Sequence, residues 1–392
     1  MVSRFDVIVA GGSIAGLTFA AEAAEKGLSV LVAEEHDEIG EPEKCDGLVS
    51  LRGLKQYGQP PRPEVVQNRI ATGVIHSPMG KQFAINTAAL DVVVLDRSAY
   101  DKQVADEARA NGAEIVTGAR ASDFLEIHDG VSVDIGWETL TAQYYVDATG
   151  PSSSHRRGIL PAATYELEGE WVRDGVVEVF LDAIRFPQFF AWVIPTGGHF
   201  AKVGVAGTGI GPFKALDSFL ADRPYRIIRK VSAPIYIGGP TSKFVIGRRV
   251  LVGESAGQVK PTTAGGIMTS VAGAVMAAHW VSESIRLNDS GLLVNYQRDW
   301  DGQFLREMKT MLRLRSVFGR LSNADLDALV STMATPELAL RLSRTDFDFH
   351  ASALLGTLGI QGLMRIARVV ASSELRSRLR GGCRSPLVQQ SI

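Results

Sequence analysis

The sequence predicts an α/β fold with a β-rich (α+β) domain inserted into it and a helical C-terminal region. Three observations carry that expectation. Phe5 to Ala10 (FDVIVA) and Leu28 to Ala33 (LSVLVA) are short β-branched runs of the kind buried in parallel sheets, with an Ala-rich helical stretch, Leu17 to Gly27, between them. From about Tyr165 to Val245 the chain is strand-like, with Gly and Pro punctuation. Arg249 to Gly253 (RVLVG) returns to a buried strand, Gly265 to Leu287 reads as one long helix, and the chain is mostly helical from Leu292 onward.

These stretches divide the chain into a discontinuous first domain (residues 1–164 and 246–300), a β-rich substrate domain (165–245) and a helical region (301–392). Within the first domain, Asp91 to Arg97 reads as a strand leading into a helix from Ser98 to Asn111. Glu114 to Val116, Val131 to Ile135 and Tyr144 to Ala148 read as further strands.

The 392 residues suffice for two or three domains and a sizeable core. A hydrophobic fraction of 45% and a charged fraction of 21% are ordinary for a globular protein, and a net charge of −2 gives no reason to expect a nucleic-acid partner. Two cysteines, Cys45 and Cys383, argue for a reducing compartment with neither a disulfide framework nor a metal site. The start lacks a basic segment followed by a long apolar stretch, and no apolar run reaches about 18 residues. The expected location is the cytoplasm, with peripheral membrane contact left open.

Chemistry first shows at Gly11-Gly12-Ser13-Ile14-Ala15-Gly16, which joins the first strand to the first helix. The usual dinucleotide pattern is G-x-G-x-x-G, and Ser13 stands at the second glycine. The first glycine permits the tight turn, the middle position must be small because backbone approaches a pyrophosphate, and the third lets helix and strand pack closely. Helix N–H groups then face the phosphates. Glu34 ends the second strand, with Glu35 next, where an acid accepts from ribose hydroxyls and disfavours a 2′-phosphate. This is a Rossmann-like unit.

Later segments point to FAD. In Arg249 to Gly257 (RVLVGESAG), Gly253 and Glu254 resemble the strand–Gly–Asp segment of aromatic-hydroxylase-like flavoproteins, whose acid holds a ribitol hydroxyl. Glu254 is one methylene longer than that Asp. Lys260-Pro261-Thr262-Thr263-Ala264-Gly265-Gly266-Ile267 opens the long helix, whose N-terminal amides would favour negative charge on the flavin pyrimidine edge. Leu95-Asp96-Arg97 resembles the segment that reaches the flavin from the side, although Arg97 equally suits a surface ion pair. Asp147-Ala148-Thr149-Gly150, followed by Ser154 and Arg156, occupies the place of an Asp-Gly motif, with Thr149 replacing the Asp.

Three stretches resemble the geranylgeranyl reductase family, a branch of that FAD superfamily. Pro42-Glu43-Lys44-Cys45-Asp46-Gly47 is similar to the family's P-x-x-C-G/D-G loop. Pro187-Gln188-Phe189-Phe190-Ala191-Trp192-Val193-Ile194-Pro195 is similar to P-x-x-Y-x-W-x-F-P, with Phe190 for Tyr and Ile194 for Phe. The third, Lys260 to Gly266, is near K-P-T-T-G-G-G with Ala264 at one glycine. The resemblance covers roughly residues 1–300.

It implies an FAD-dependent reductase that saturates isolated double bonds of isoprenoid chains on lipids, by hydride from flavin N5 plus a proton. Lys44, Cys45 and Arg97 would lie by the flavin, with Cys45 as proton donor or positioner and Trp192 facing the developing cation. Phe190, Trp192 and Ile194 share one strand face, either plain core or, with Pro261, the wall of an apolar tunnel. Cys45 taken alone also suits a buried small hydrophobe. No second Gly-rich βαβ unit is visible, so the electron donor would be NAD(P)H bound transiently or a ferredoxin-like protein.

Two rivals remain at this level. One is a flavin monooxygenase or halogenase, since Phe190 to Pro195 also resembles W-x-W-x-I-P, although no halogenase lysine motif is apparent. The other is a prenyl-lipid carrier on the same fold. The basic set Arg365, Arg368, Arg376, Arg378, Arg380 and Arg384 suits either a lipid-facing amphipathic surface or a solvated helix.

Overall fold

The computed structural model describes residues 5–151, 158–349 and 351–352. Ser154, Arg156, Cys383 and the basic segment from Ala353 to Arg384 lie outside the described residues.

Phe5–Ala10 forms the central strand of the main sheet, buried along nearly its whole length. It pairs in parallel with Val30–Ala33 on one side and Glu138–Asp147 on the other. Glu114–Val116 extends the sheet beyond Val30–Ala33, and Arg249–Leu251 extends it beyond Glu138–Asp147, both in parallel. Such continuously apolar strands need both faces covered. The helices Ile14–Glu25, Arg97–Ala110 and Ile267–Leu287 pack into the same hydrophobic cluster as Val7 and Val9. The first helix stops where Gly27 takes a left-handed φ of +84°, the usual glycine-ended terminus. Trp300, Tyr296 and Phe304 then fill the core beneath Ile267–Leu287, each at most 1% exposed.

The second sheet has seven strands, in the order Arg226–Ser232, Ala162–Glu168, Phe200–Ala206, Phe190–Gly197, Val176–Leu181, Thr72–His76 and Gln82–Asn86. The β-rich layer therefore reaches beyond residues 165–245: it includes Ala162 and takes two strands from between the helices Ile14–Glu25 and Arg97–Ala110 of the cofactor half. Thr72–His76 joins in parallel with Val176–Leu181, a pairing between strands far apart in sequence. The strand-rich stretch also contains a helix, Pro212–Leu220, opened by Pro at its first position. A small antiparallel sheet, Leu48–Ser50, Val92–Leu95 and Val66–Arg69, lies between the two layers in sequence order. The helices Asn323–Met333 and Pro336–Leu342 cover the Gln82–Asn86 end of the second sheet, burying Phe83, Leu326, Val330, Leu338 and Leu342 together.

Candidate functional site

The glycine turn is built for close approach. A Cβ on Gly16 would lie 2.0 Å from the Gly11 carbonyl oxygen, and one on Gly11 would lie 2.6 Å from that of Ala148. Gly11 also has φ +102°. Only glycine fits either position. Ser13 caps the helix in extended geometry, is exposed, and its hydroxyl makes no capping bond. The start of this helix is therefore uncapped, with the exposed Ser13 hydroxyl beside it. Glu34 sits at the end of Val30–Ala33. One of its oxygens accepts from Gly12 N–H (2.6 Å), the other from His36 N–H (3.0 Å) and Nδ1 (2.5 Å). Glu35 is half exposed and lies 3.6 Å from Arg120.

The second and third segments converge on this turn. Gly253 takes φ +64°, and a Cβ there would meet the Ala15 side chain at 2.7 Å. Its N–H donates to Gln258 Oε1 (2.8 Å), Gln258 Nε2 donates to Tyr296 (2.8 Å), and Tyr296 donates to the Leu251 carbonyl (2.9 Å). This buried chain locks the strand end against the helix Val294–Trp300, and Thr269 of the long helix joins it by donating to the Gln258 carbonyl (2.5 Å). That helix starts after Gly266, with no side-chain cap. Just before it Ala264 adopts φ +55°, the left-handed region where the related motif carries glycine. Lys260, 5% exposed, supports the loop through an ion pair with Asp348 at 2.7 Å.

Between these segments lie ionisable groups that bear on one another. Arg97 is buried, not at the surface, and its Nη2 holds Asp101 at 2.8 Å. Burial alone would lower its pKa, but Asp101 and Cys45 raise it, so the guanidinium stays charged. Its Nε is buried without a partner among the described residues. Burial pushes the Glu254 carboxyl up to about 7, with Arg97 pulling the other way. Cys45 and Lys44 are exposed on the loop, so Cys45 is no buried hydrophobe.

The aromatic strand supplies the apolar side. Phe189 and Phe190 stack with centroids 4.0 Å apart, and each meets Trp192 edge-on at about 6 Å. Phe190, Trp192 and Ile194 do share one cluster, joined by Phe189, Ile237 and Phe347 and by Ala264 from the glycine-rich loop. Pro261, three residues before Ala264, is buried, its carbonyl accepting from Arg315 at 3.4 Å. Trp192 lies over Gly204 of the neighbouring strand, where a Cβ would come within 2.3 Å of the indole. Its Nε1 donates to Asp46 at 2.6 Å. Asp46, Lys202 and Glu43 were not singled out by sequence reasoning; the only signal was Asp46 following Cys45 in the motif.

The features that fit FAD are those of this chain: a glycine cradle that any side chain would fill, an uncapped helix start with a free hydroxyl, and an unpartnered buried Nε on Arg97. The family model described as FAD dependent oxidoreductase matches residues 6–153. A digeranylgeranylglycerophospholipid reductase of Methanopyrus kandleri is 30% identical, over 86% of this chain and 92% of the relative. One from Methanothermobacter thermautotrophicus is 29% identical, over 86% and 93%. A geranylgeranyl bacteriochlorophyll reductase-like protein of Thermoplasma acidophilum superposes with a TM-score of 0.83 at 22% identity, over 94% and 99% of the two chains. Halogenase PltM follows at 0.64 and 17%, over 95% and 94%. Fold and site define an FAD-dependent oxidoreductase. Within that class, the chain belongs to the geranylgeranyl reductase family, and the halogenases share its fold at greater distance.

Proposed function

We propose that this oxidoreductase saturates isolated carbon–carbon double bonds in the isoprenoid chains of a glycerophospholipid, the substrate class named for its archaeal relatives. One observation carries the reading. Ala264 belongs both to the glycine-rich loop that opens the long helix and to the apolar cluster of Phe189, Phe190, Trp192 and Ile194. A hydrocarbon in that cluster would therefore abut the cofactor loop, and a purely apolar tail needs walls of this kind.

Gly11, Ser13, Ile14, Ala15 and Gly16 would hold the pyrophosphate, and Glu34 and Glu35 the adenosine ribose. Lys44, Cys45 and Arg97 would flank the ring, Gly253 and Glu254 would take the ribitol, and Ala264, Gly265, Gly266 and Ile267 would take the pyrimidine edge. Bound flavin, when reduced, supplies hydride. An unactivated trisubstituted alkene accepts hydride poorly, so a proton must reach its less substituted carbon at the same time. Cys45 would deliver or position that proton. Positive character then grows on the tertiary carbon, where an aromatic face such as that of Trp192 contributes about 0.5–2 kcal/mol. The apolar walls keep out water that would capture the cation. Phe190, Ile194 and Pro261 line the chain's path. Electrons come from transient NAD(P)H or a ferredoxin-like protein, and the lipid is met at a membrane surface. No helix among the described residues is long and apolar enough to cross one.

The test is anaerobic. Purified yellow protein, bleached with dithionite, is mixed with an unsaturated digeranylgeranylglycerol phospholipid. Recovery of the yellow colour, with two hydrogens gained per double bond by mass spectrometry, is the expected result. A flavin that stays bleached and a lipid of unchanged mass would overturn the reading.

A further inference from the structure

Every double bond saturated consumes one proton, and the apolar side chains of the aromatic wall have none to give. The structure places a charged cluster beside the aromatic wall, on the same sheet face, where Lys202 is the cross-strand partner of Ile194. Lys202, 2% exposed, ion-pairs with Glu43, whose other oxygen holds Arg229 Nη2 at 2.8 Å. Arg229 in turn holds Glu166 at 3.0 Å. Glu43, Glu166 and Arg229 line a cavity of about 380 Å³ that opens to solvent. At the inner end of this series stands Asp46, bonded to the Trp192 indole at 2.6 Å and next in sequence to Cys45.

We infer that Asp46, held by Trp192 at the seam between this charged cluster and the apolar chamber, stores the proton that each reduction consumes and returns it to Cys45. The inference rests on the proposed alkene reduction. In each cycle one C=C π bond breaks and two C–H bonds form. Hydride with its electron pair goes from reduced flavin to one carbon, and the Cys45 thiol gives its proton to the other. The Asp46 carboxylic acid then reprotonates the thiolate, a downhill transfer between such groups. Its carboxylate regains a proton from water in the open cavity, along the Glu43–Lys202 pair.

The groups facing Asp46 come from four elements. They are Glu43 on its own loop, Thr164 on Ala162–Glu168, Trp192 on Phe190–Gly197 and Lys202 on Phe200–Ala206. Burial pushes the Asp46 carboxyl up to about 6, while Lys202 and the Trp192 hydrogen bond pull it down and Glu43 pushes it up. Asp46 is therefore half protonated near pH 6, within reach of both giving and taking a proton. It is a positioning residue for the proton and need not touch the lipid.

The experiment uses the holoenzyme, kept reduced anaerobically by excess dithionite, and follows saturation of the unsaturated phospholipid over many turnovers across pH, so that Cys45 must be reprotonated between turnovers. The wild type should lose rate about tenfold per pH unit above the Asp46 pKa. Asp46→Asn should be at least about tenfold slower at pH 6 and flat with pH. Lys202→Met removes a cation that favours the carboxylate, so its descending limb should move to higher pH. Independently of turnover, infrared difference titration of the holoenzyme should show a protonated-carboxyl band with a midpoint near 6, lost in Asp46→Asn and moved up in Lys202→Met. An Asp46→Asn enzyme with the wild-type rate and pH profile, or a wild-type spectrum lacking an Asp46-dependent band, would overturn the role alone. A wild-type enzyme that saturates no alkene, despite a normal band, would overturn the proposed function and the role with it.

Discussion

Lys260 and Asp348 meet at 2.7 Å with side chains 7% and 4% exposed, joining the glycine-rich cofactor loop to a segment 88 residues further on. Removing one partner leaves the other charge buried and unpaired. Asp348→Ala should therefore destabilise the protein by about 3–5 kcal/mol. Urea unfolding of the flavin-free protein reads this directly. A loss under about 1 kcal/mol would mean that water reaches Lys260.

The glycine cradle predicts a sharp distinction between positions. Gly16→Ala would force a methyl against the Gly11 carbonyl oxygen, with no flexible side chain to yield. Protein purified from this variant should be colourless. Gly27→Ala also sits at positive φ but meets nothing within 4 Å. It should keep its flavin at a cost of about 1 kcal/mol. The ratio of flavin to protein absorbance separates the two.

Ala264 occupies a left-handed conformation that costs an L-residue about 1–2 kcal/mol. Ala264→Gly should raise stability by about 1 kcal/mol, whereas Ala278→Gly, in the interior of the long helix, should lower it by a similar amount. Thermal unfolding of the two variants, compared at equal flavin loading, tests the pair.

Glu254 gives a pH dependence with a definite sign. Its folded pKa, about 7, lies above the unfolded value of 4.5, so the native state binds more protons between them. This contribution is full below pH 4.5 and is lost as pH rises through 7. Glu254→Gln should remove the loss, making flavin-free protein more stable above pH 7 by on the order of 2–3 kcal/mol. The same change removes the acceptor proposed for the ribitol, so FAD should bind more weakly. Urea unfolding and flavin titration at pH 8 should move in opposite directions.

Gly204 makes room for the Trp192 indole. Gly204→Val should displace the ring and break its bond to Asp46. Flavin content should stay normal while alkene reduction falls at least about tenfold. Equal losses of flavin and turnover would instead mean that the two layers fail together.

Much of the cofactor half was legible because its signals are local. FDVIVA, the glycine turn and the strand ending in Glu34 are contiguous, and buried parallel strands announce themselves by unbroken apolar runs. Gln82–Asn86 was not legible: it is five residues long, only Phe83 is fully buried, and polar residues stand at both ends. The helix Pro212–Leu220 is nine residues within a strand-rich stretch, and its opening Pro reads equally as a turn. Arg97 was ambiguous because only tertiary packing decides whether an arginine is buried. The charged cluster was out of reach for the same reason, since Glu43 and Lys202 are 159 residues apart. The element carrying Cys45 was readable, but its neighbour's partner, Trp192, lies 146 residues away.

The parallel pairing of Thr72–His76 with Val176–Leu181 has a wider consequence. The polypeptide passes repeatedly between the Rossmann-like sheet and the seven-stranded sheet, so neither can be excised or exchanged as a cassette. A fragment ending near residue 164 would carry two orphan strands with exposed edges and should aggregate. New lipid preferences in this lineage must therefore arise by repainting the chamber, one lining residue at a time.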